Sequence, residues 1–549
     1  MPRIAPGIAT MAFLLLPAAA GAQENARGKA VYDRWCAGCH GIEGEGDGPA
    51  EAYMLPRPRD FTMGLYEIRS TPSGQLPTDA DILEVIDEGM PGTAMPGWKD
   101  HLSGSDRKAL VEVVKSFSRF FEQEGAPEPV EVGSPPEATE EALAEGREFY
   151  QKIECWKCHG QAGRGDGPSA PTLEDDRDLP VRAADLTENW LFNGGGSTEA
   201  IFARLLTGMN GTPMPSFADL IEADFMTREQ LWNVALYVRS LAPEEPPSVR
   251  DVIRAGLVEG DLPAAVDDEA WEEVERQYVP LVGQVIVPPR WFAPRVDGVW
   301  VQALHDREEL VLRLVWHDPS ESPDPDWAGW AARVRATMAP DGAEAGSVEG
   351  AGAADTAAME GAEPETGEAV GEGRLAPEAT AGAPDRLVVQ FPTELPEGME
   401  RPYFLMGEED DPVYLWRWRS DGDASEAIGR GFMNMEPLEG SGDALAAEAT
   451  FEEGEWRLMI RRSLDAGGVE ERLGFVSGRP IPMALFAWDG DNGEAGTRAA
   501  IGTWYFLHLD EPSGGGVIVI PLIATLLTAA LGVAVVVRAQ RREEEREES

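Results

Sequence analysis

Apolar positions recur at helical spacing along the first half of the chain and alternate at strand spacing along the second. Leu110, Val113, Val114 and Phe117 line one face of a segment that Ser105 can cap, and Thr227 with Gln230 forms a capping box ahead of Leu231, Val234 and Val238. A helix is predicted upstream of each, one carrying Val31 and Tyr32, the other Phe149 and Tyr150. Beyond residue 249 the runs VWVQAL, ELVLRLVW, RLVVQF, VYLWRW, EWRLMI, PMALFAW and GTWYFLHL read as strands separated by Gly, Pro and Asp turns, which predicts an antiparallel β sandwich. Residues 340–385, rich in Ala, Gly and Glu and without periodicity, predict a disordered insertion. The expected fold class is multidomain: two all-α domains, an all-β sandwich domain and one C-terminal transmembrane helix.

Two uniformly apolar stretches fall outside these patterns. Residues 1–22 pass from Arg3 through MAFLLLPAAAGA to Ala20-Gly21-Ala22 and read as a signal peptide cleaved before Gln23, with an uncleaved anchor as the alternative. Residues 517–537 are long enough to cross a hydrocarbon core of about 30 Å. Arg538, Arg541 and Arg542 follow at once, which predicts a cytoplasmic tail over 538–549 and places the rest on the periplasmic side of the inner membrane.

The chain is 549 residues long and 43% hydrophobic, too much for one core. Its formal charge of −52, from 98 acidic against 46 basic residues, excludes nucleic acid or an anionic membrane surface as a partner. Acidity spread over the whole length suits a saline exterior, and a concentrated acidic patch would instead dock a basic redox partner in a salt-sensitive way.

Cysteine use is more decisive, because all four cysteines lie in two copies of one phrase, CAGCHGIEGEGDGP (36–49) and CWKCHGQAGRGDGP (155–168). Each contains C-x-x-C-H, the attachment signal for c-type haem in an exported protein. Two thiols one helical turn apart add to the vinyl groups of one porphyrin, and the adjacent histidine becomes the proximal iron ligand. Cys36, Cys39 and His40 are thus assigned to one haem c, and Cys155, Cys158 and His159 to a second. A zinc ribbon or a redox dithiol would leave both histidines and the downstream methionines without a role. The shift of 119 residues that superposes the two phrases also carries GMPGTAMPGW (89–98) onto GMNGTPMPSF (208–217). Met95 and Met214, each followed by a proline that directs the loop, are the expected sixth ligands, and Met90 and Met209 are read as packing residues.

On these motifs, residues 27–122 and 140–242 each resemble a class I c-type cytochrome domain, joined by a Pro- and Glu-rich linker over 123–139. The resemblance implies low-spin His/Met haem and one-electron transfer. After a second linker (243–261), residues 262–511 carry ALHDREELVLRLVWHDPS, VVQFP, PYFLMGEEDDPVYLWRW and ALFAWDGDNGEAGTRAAIGTWYFLHL. This segment resembles the ethylbenzene dehydrogenase-related haem-binding domain, whose members include the γ subunits of DMSO-reductase-type molybdenum enzymes. The resemblance implies haem b held by a methionine, which matches Met406, and a lysine, which does not carry over. Arg498 and Ala499 stand where it would fall, no lysine follows Lys157, and a guanidinium cannot ligate iron. His305, His317 and His508 are the histidines of this segment and read as packed or surface residues. The segment is therefore either a third haem site or a docking module.

Together these readings predict a membrane-anchored periplasmic dihaem electron carrier of a respiratory chain. Its partners would be a quinol-oxidising complex, a terminal oxidase or a molybdoenzyme. The alternatives are a haem subunit of a molybdenum oxidoreductase complex and a substrate-binding redox enzyme. No catalytic residue stands out: no paired carboxylates, nucleophile with a base, or phosphate loop is visible in the sequence.

Overall fold

The computed structural model describes residues 16–123, 128–338, 383–398, 401–440, 442, 445–512 and 516–547. The first fifteen residues of the expected signal peptide and residues 340–382 of the expected insertion lie outside them.

Residues 16–242 form helices and turns, with one isolated β bridge between Glu174 and Pro180. In chain order these are α1 (Leu16–Trp35), α2 (Ala37–His40), α3 (Asp79–Glu88), α4 (Gly104–Ser116), α5 (Phe120–Gln123), α6 (Glu140–Lys152), α7 (Trp156–His159), α8 (Thr198–Thr207), α9 (Ala218–Glu222) and α10 (Arg228–Ser240). The sequence repeat is also a repeat in space. α1 packs on α4 and α6 on α10, and each crossing passes over a glycine. A Cβ on Gly28 would stand 2.6 Å from the Ala109 carbonyl oxygen, and one on Gly146 would stand 2.0 Å from that of Asn233. Both glycines lie inside helices, where their flexibility costs about 1 kcal/mol relative to Ala. What holds them there is the backbone approach, which seats Tyr32 and Tyr150, both fully buried, in the two cores.

Thr227 and Gln230 form the expected capping box. The cap of α4 is Ser103, not Ser105: Ser103 is extended and its hydroxyl accepts from the Asp106 N–H at 3.2 Å, whereas Ser105 already lies inside the first turn.

Residues 252–509 build one continuous path of strands: β1 (Val252–Leu257), β2 (Gln277–Pro280), β3 (Val282–Gly283), β4 (Gly298–His305), β5 (Glu309–His317), β6 (Arg386–Pro392), β7 (Val413–Arg419), β8 (Ser425–Gly429), β9 (Met435–Pro437), β10 (Ala446–Glu452), β11 (Glu455–Ser463), β12 (Pro480–Trp488), β13 (Ala500–Ile501) and β14 (Tyr505–Leu509). The order is β10-β11-β5-β4-β1-β14-β12-β6-β7-β8-β9. β12 is the pivot, since Pro480–Met483 pair with β14 and Ala484–Trp488 with β6. Side chains from both sides of the pivot fill one apolar cluster, centred on Trp316, Trp418 and Trp456 with ring centroids 4.9 to 6.2 Å apart. A helix, α11 (Ala328–Thr337), leads from β5 toward the insertion.

Two expectations are corrected here. The stretch 243–261, read as a linker, contains β1, the strand in the middle of the path, and β1 runs parallel to both β14 and β4 in a sheet expected to be wholly antiparallel. Its six residues include Arg254 and Gly256, so alternation is weak, and the ladder on both sides supplies what local propensity does not. Residues 383–385, given to the insertion, are packed, with Asp385 fully buried.

The final helix, α12 (Gly516–Glu547), contains a 20-residue span, Ile523–Arg542, long and apolar enough to cross a membrane. Leu526, Leu527 and Leu531 of this span are each more than 60% exposed.

Replacing Gly146 by Ala should destabilise the 140–242 unit by about 1–3 kcal/mol through overpacking at the α6–α10 crossing. Gly104→Ala, where a Cβ meets only the end of the Arg107 side chain at 3.8 Å, should change stability by less than about 0.5 kcal/mol. Denaturant unfolding followed by tryptophan fluorescence measures both.

Candidate functional site

Each C-x-x-C-H phrase closes a tight turn onto its preceding helix. The His40 and His159 amides donate to the Cys36 and Cys155 carbonyls at 2.9 and 3.0 Å. Tyr32 Oη donates to the Gly41 carbonyl at 2.8 Å, and Tyr150 Oη to that of Gly160 at 2.7 Å. These bonds fix the imidazoles. His40 Nδ1 lies 3.1 Å from the Arg59 carbonyl oxygen and His159 Nδ1 lies 2.9 Å from that of Ala184. A carbonyl only accepts, so Nδ1 carries the proton and Nε2 keeps its lone pair. Burial lowers both histidines' pKa below the usual value, which keeps them neutral and able to ligate.

The cysteines are free, and burial pushes the thiols of Cys36 and Cys155 up to about 12. A redox dithiol needs the opposite shift, toward thiolate. No cluster of metal donors among the described residues includes a cysteine, which leaves the zinc reading without a site.

A cavity opens beside the first phrase. Cys36, Cys39 and His40 line it together with Met90, Met95, Pro96 and Trp98 and the apolar Ile82, Ile86 and Val114. Both methionine loops carry the same hydrogen bonds. Met90 N–H donates to the Met95 carbonyl at 3.0 Å while Thr93 Oγ1 accepts from Met95 N–H at 3.1 Å; Met209, Met214 and Thr212 repeat this at 3.1 and 3.2 Å. Met90 thus reaches the cavity wall together with Met95, which sequence spacing did not foresee. Tyr66 Oη and Trp98 Nε1 at this cavity are buried without partners among the described residues. A cavity lined by two thiols, an imidazole with a free nitrogen and two thioethers, with orphaned donors that a propionate would accept from, fits a haem c. In the second copy Cys155, Trp156, Phe192 and Met214 pack half-buried on the core of the 140–242 unit.

The two units meet at this cavity. Asn193, from the second unit, lines the first cavity. Between them Arg69 is fully buried and donates to the carbonyls of Tyr66 at 3.2 Å, of Gly208 at 3.4 Å and of Thr207. Gly208 begins the Met214 loop, so one guanidinium ties a wall of the first site to the ligand loop of the second. The connecting chain is docked on both units, with Val130 N–H on the Ser70 carbonyl at 2.7 Å and Val132 against the second core.

The second unit also seats on the sheet. Arg182 donates to the carbonyls of Pro294 and Ala293 and to Asn492 Oδ1 at 2.8, 2.9 and 3.1 Å, and Arg164 pairs with Glu455 at 2.9 Å. At the centre, His317 Nδ1 lies 2.6 Å from Asp185 and 3.5 Å from Glu188. The charges of Asp185 and Glu188 outweigh burial and raise the His317 pKa well above the usual value, while the imidazolium holds Asp185 below its own. Nearby, burial and the charge of Glu188 raise the Asp297 pKa to about 8. Asp185 directly follows Ala184, the acceptor for His159. A histidine read from sequence as packed or superficial therefore holds the loop that orients His159.

Met406 sits elsewhere, fully buried among Leu405, Val413, Leu415, Phe486 and Ala499. It occupies the left-handed region at φ 57°, held by its N–H to Gln390 Oε1 at 3.0 Å. The fold does bring Ala499, at the place of the missing lysine, into the same cluster. A methyl group offers no ligand atom. His305 Nε2 donates to the Asp510 carbonyl and His317 pairs with Asp185. Met406 with Ala499 does not make the methionine–lysine pair that the resemblance implies for haem b.

Similarity to known proteins falls on the same segments. The family model described as cytochrome c oxidase, cbb3-type, subunit III matches residues 23–112, and the cytochrome c model matches 143–242. A putative respiratory nitrate reductase heme subunit of Haloferax mediterranei is 29% identical over 152 residues, 28% of this chain and 51% of that protein. The chlorate reductase subunit gamma of Ideonella dechloratans is 29% identical over 125 residues, 23% of this chain and 50% of that protein. The chain thus spans about half the length of these two curated relatives. Cytochrome c55X of Stutzerimonas stutzeri is 31% identical over 113 residues, 19% of this chain and 82% of that protein.

His317→Ala should destabilise the seat of the second unit by about 2 kcal/mol, short of the roughly 3–5 kcal/mol of a wholly buried pair. Because the folded pKa of His317 is raised, its contribution is complete below the unfolded value near 6.5 and is lost as pH rises through the folded value. The wild-type melting temperature should accordingly fall toward alkaline pH, and the variant's should fall less. Calorimetry from pH 6 to 10 measures the difference.

Proposed function

We propose that this chain, which belongs to the cytochrome c family, is a membrane-anchored dihaem c-type cytochrome that relays electrons between a membrane respiratory complex and a redox enzyme docked on its sheet. Electron transfer through c-type haem follows from the two family matches and the reductase haem-subunit relatives. The observation that carries the relay is the shared wall, with Asn193 of one unit lining the other's cavity and Arg69 between them. Cys36, Cys39, His40 and Met95 would hold one haem c, and Cys155, Cys158, His159 and Met214 the other. A thioether paired with an imidazole would raise the potential relative to two imidazoles and suit one-electron transfer. The chain's own residues keep the imidazoles neutral, point Nε2 inward and exclude water from the slot.

The domain divisions are all-α units over 27–122 and 140–242 and a β sandwich whose limits are best drawn from β1 onward. A signal peptide over 1–22 and a single pass through 517–537 would place the haem units on the periplasmic side, as Arg538, Arg541 and Arg542 favour. The resemblance to γ subunits, together with relatives that are a nitrate reductase heme subunit and a chlorate reductase gamma subunit, favours a molybdenum oxidoreductase as the docked partner. The sheet region acts in this reading as a docking module without haem b.

In the oxidised protein both haems should be low-spin by electron paramagnetic resonance. Met95→Ala should turn one of the two high-spin and lower its potential, whereas Met90→Ala should leave both low-spin. A high-spin signal in the wild type, or one produced by Met90→Ala instead, would contradict the ligand assignment.

A further inference from the structure

A second concentration of chemistry lies away from the haem cavities, where three strands end together. Asp318 follows β5, Asp385 precedes β6 and Asp489 follows β12, and one carboxylate oxygen from each lies within 4.8 Å of the others. All three are buried, at 1%, 0% and 1% exposure. Most of their oxygens are held by neutral donors. Asp385 accepts from the amides of Ser322 and Gly490 at 2.7 and 3.1 Å and from Trp456 Nε1 at 3.1 Å. Asp489 Oδ1 accepts from the Asn492 amide at 2.9 Å, and Asp318 Oδ1 from the Ser320 amide at 3.2 Å. Asp318 Oδ2 has no partner among the described residues, though it is buried beside the other two carboxylates.

The charge is also unbalanced. Asp491 and Glu494 are buried on the same loop, and no arginine hydrogen-bonds or pairs with Asp318, Asp385 or Asp489 among the described residues. Arg182 and Arg295 act on Asp489 only from a distance. Three anions so close in a dry interior need either a counter-charge or a shared proton, and burial raises the pKa of all three carboxyls, which a bound cation would reverse. The donor set is entirely oxygen, rich in carboxylate and flanked by Ser320 and Asp491, which suits a hard cation that sheds its water readily, Ca2+ rather than Mg2+.

We propose that Asp318, Asp385 and Asp489 form a structural Ca2+ site that locks the ends of β5, β6 and β12 and the 489–494 loop. That loop is where Arg182 of the second haem unit docks, through Asn492. The cation would stiffen the seat of the electron-carrying unit without touching either haem.

The test uses the full-length holoprotein, stripped with EGTA and dialysed against Ca2+. One Ca2+ per chain should be retained by mass spectrometric metal analysis, and melting should rise by roughly 5–10 °C at saturating Ca2+ while the haem absorption is unchanged. Asp318→Asn, which keeps the Oδ1 acceptor and loses the unpartnered oxygen, should abolish both the retention and the shift; exposed Asp326→Asn should abolish neither. Should Asp318→Asn fail to fold, Asp489→Asn serves in its place. Equal melting in Ca2+ and EGTA, an unchanged response in the variant, or an equal shift with Mg2+ would overturn the assignment.

Discussion

Everything functional in this molecule depends on where two imidazole protons sit. A backbone carbonyl takes the Nδ1 proton of His40 and another takes that of His159, so that each Nε2 is turned, unprotonated, into its slot. The carbonyls belong to Arg59 and Ala184, residues on loops that secondary structure does not fix. For Ala184 the position is set by a contact between units, through its neighbour Asp185 and His317 of the sheet.

For the second site the chain of support can be followed outward. Ala184 is held by its neighbour Asp185, Asp185 by His317 of the sheet, and the sheet's docking loop by the buried carboxylates at the strand ends. At the junction of the two haem units Arg69, wholly buried and with its pKa lowered to about 10 by burial, trades water for carbonyls of both. Carbonyls satisfy its protons without neutralising its charge, so the junction is polar, specific and expensive to open. A relay benefits from such rigidity, because transfer between fixed cofactors depends on distance.

The repeated phrase, its histidines and the Met95 and Met214 loops were legible because their chemistry is local: a spacing of three residues and a loop bounded by proline. The seven strand runs were legible because alternation is also local: six lie wholly within strands, and the seventh, GTWYFLHL, ends in β14. What escaped was set by tertiary context. VIRAGL has little pattern of its own and becomes a central strand only because β4 and β14 flank it. Ser103 outcompetes Ser105 as a cap by two residues of backbone geometry. Arg69, Arg182 and His317 look like any charged surface residue until their partners, more than 100 positions away in most cases, are known. Asp385 was hidden at the edge of a low-complexity tract, and Met406 found its expected neighbour, Ala499, without the lysine that would have made the pair a ligand set.

The central claim is that this chain carries two covalent haems and none other. Acid-acetone extraction of the purified full-length protein, with pyridine haemochrome spectra of pellet and supernatant, measures it directly. The account predicts two haems c per chain in the pellet and none in the supernatant. Fewer than two covalent haems, or a stoichiometric extractable haem b, would contradict it.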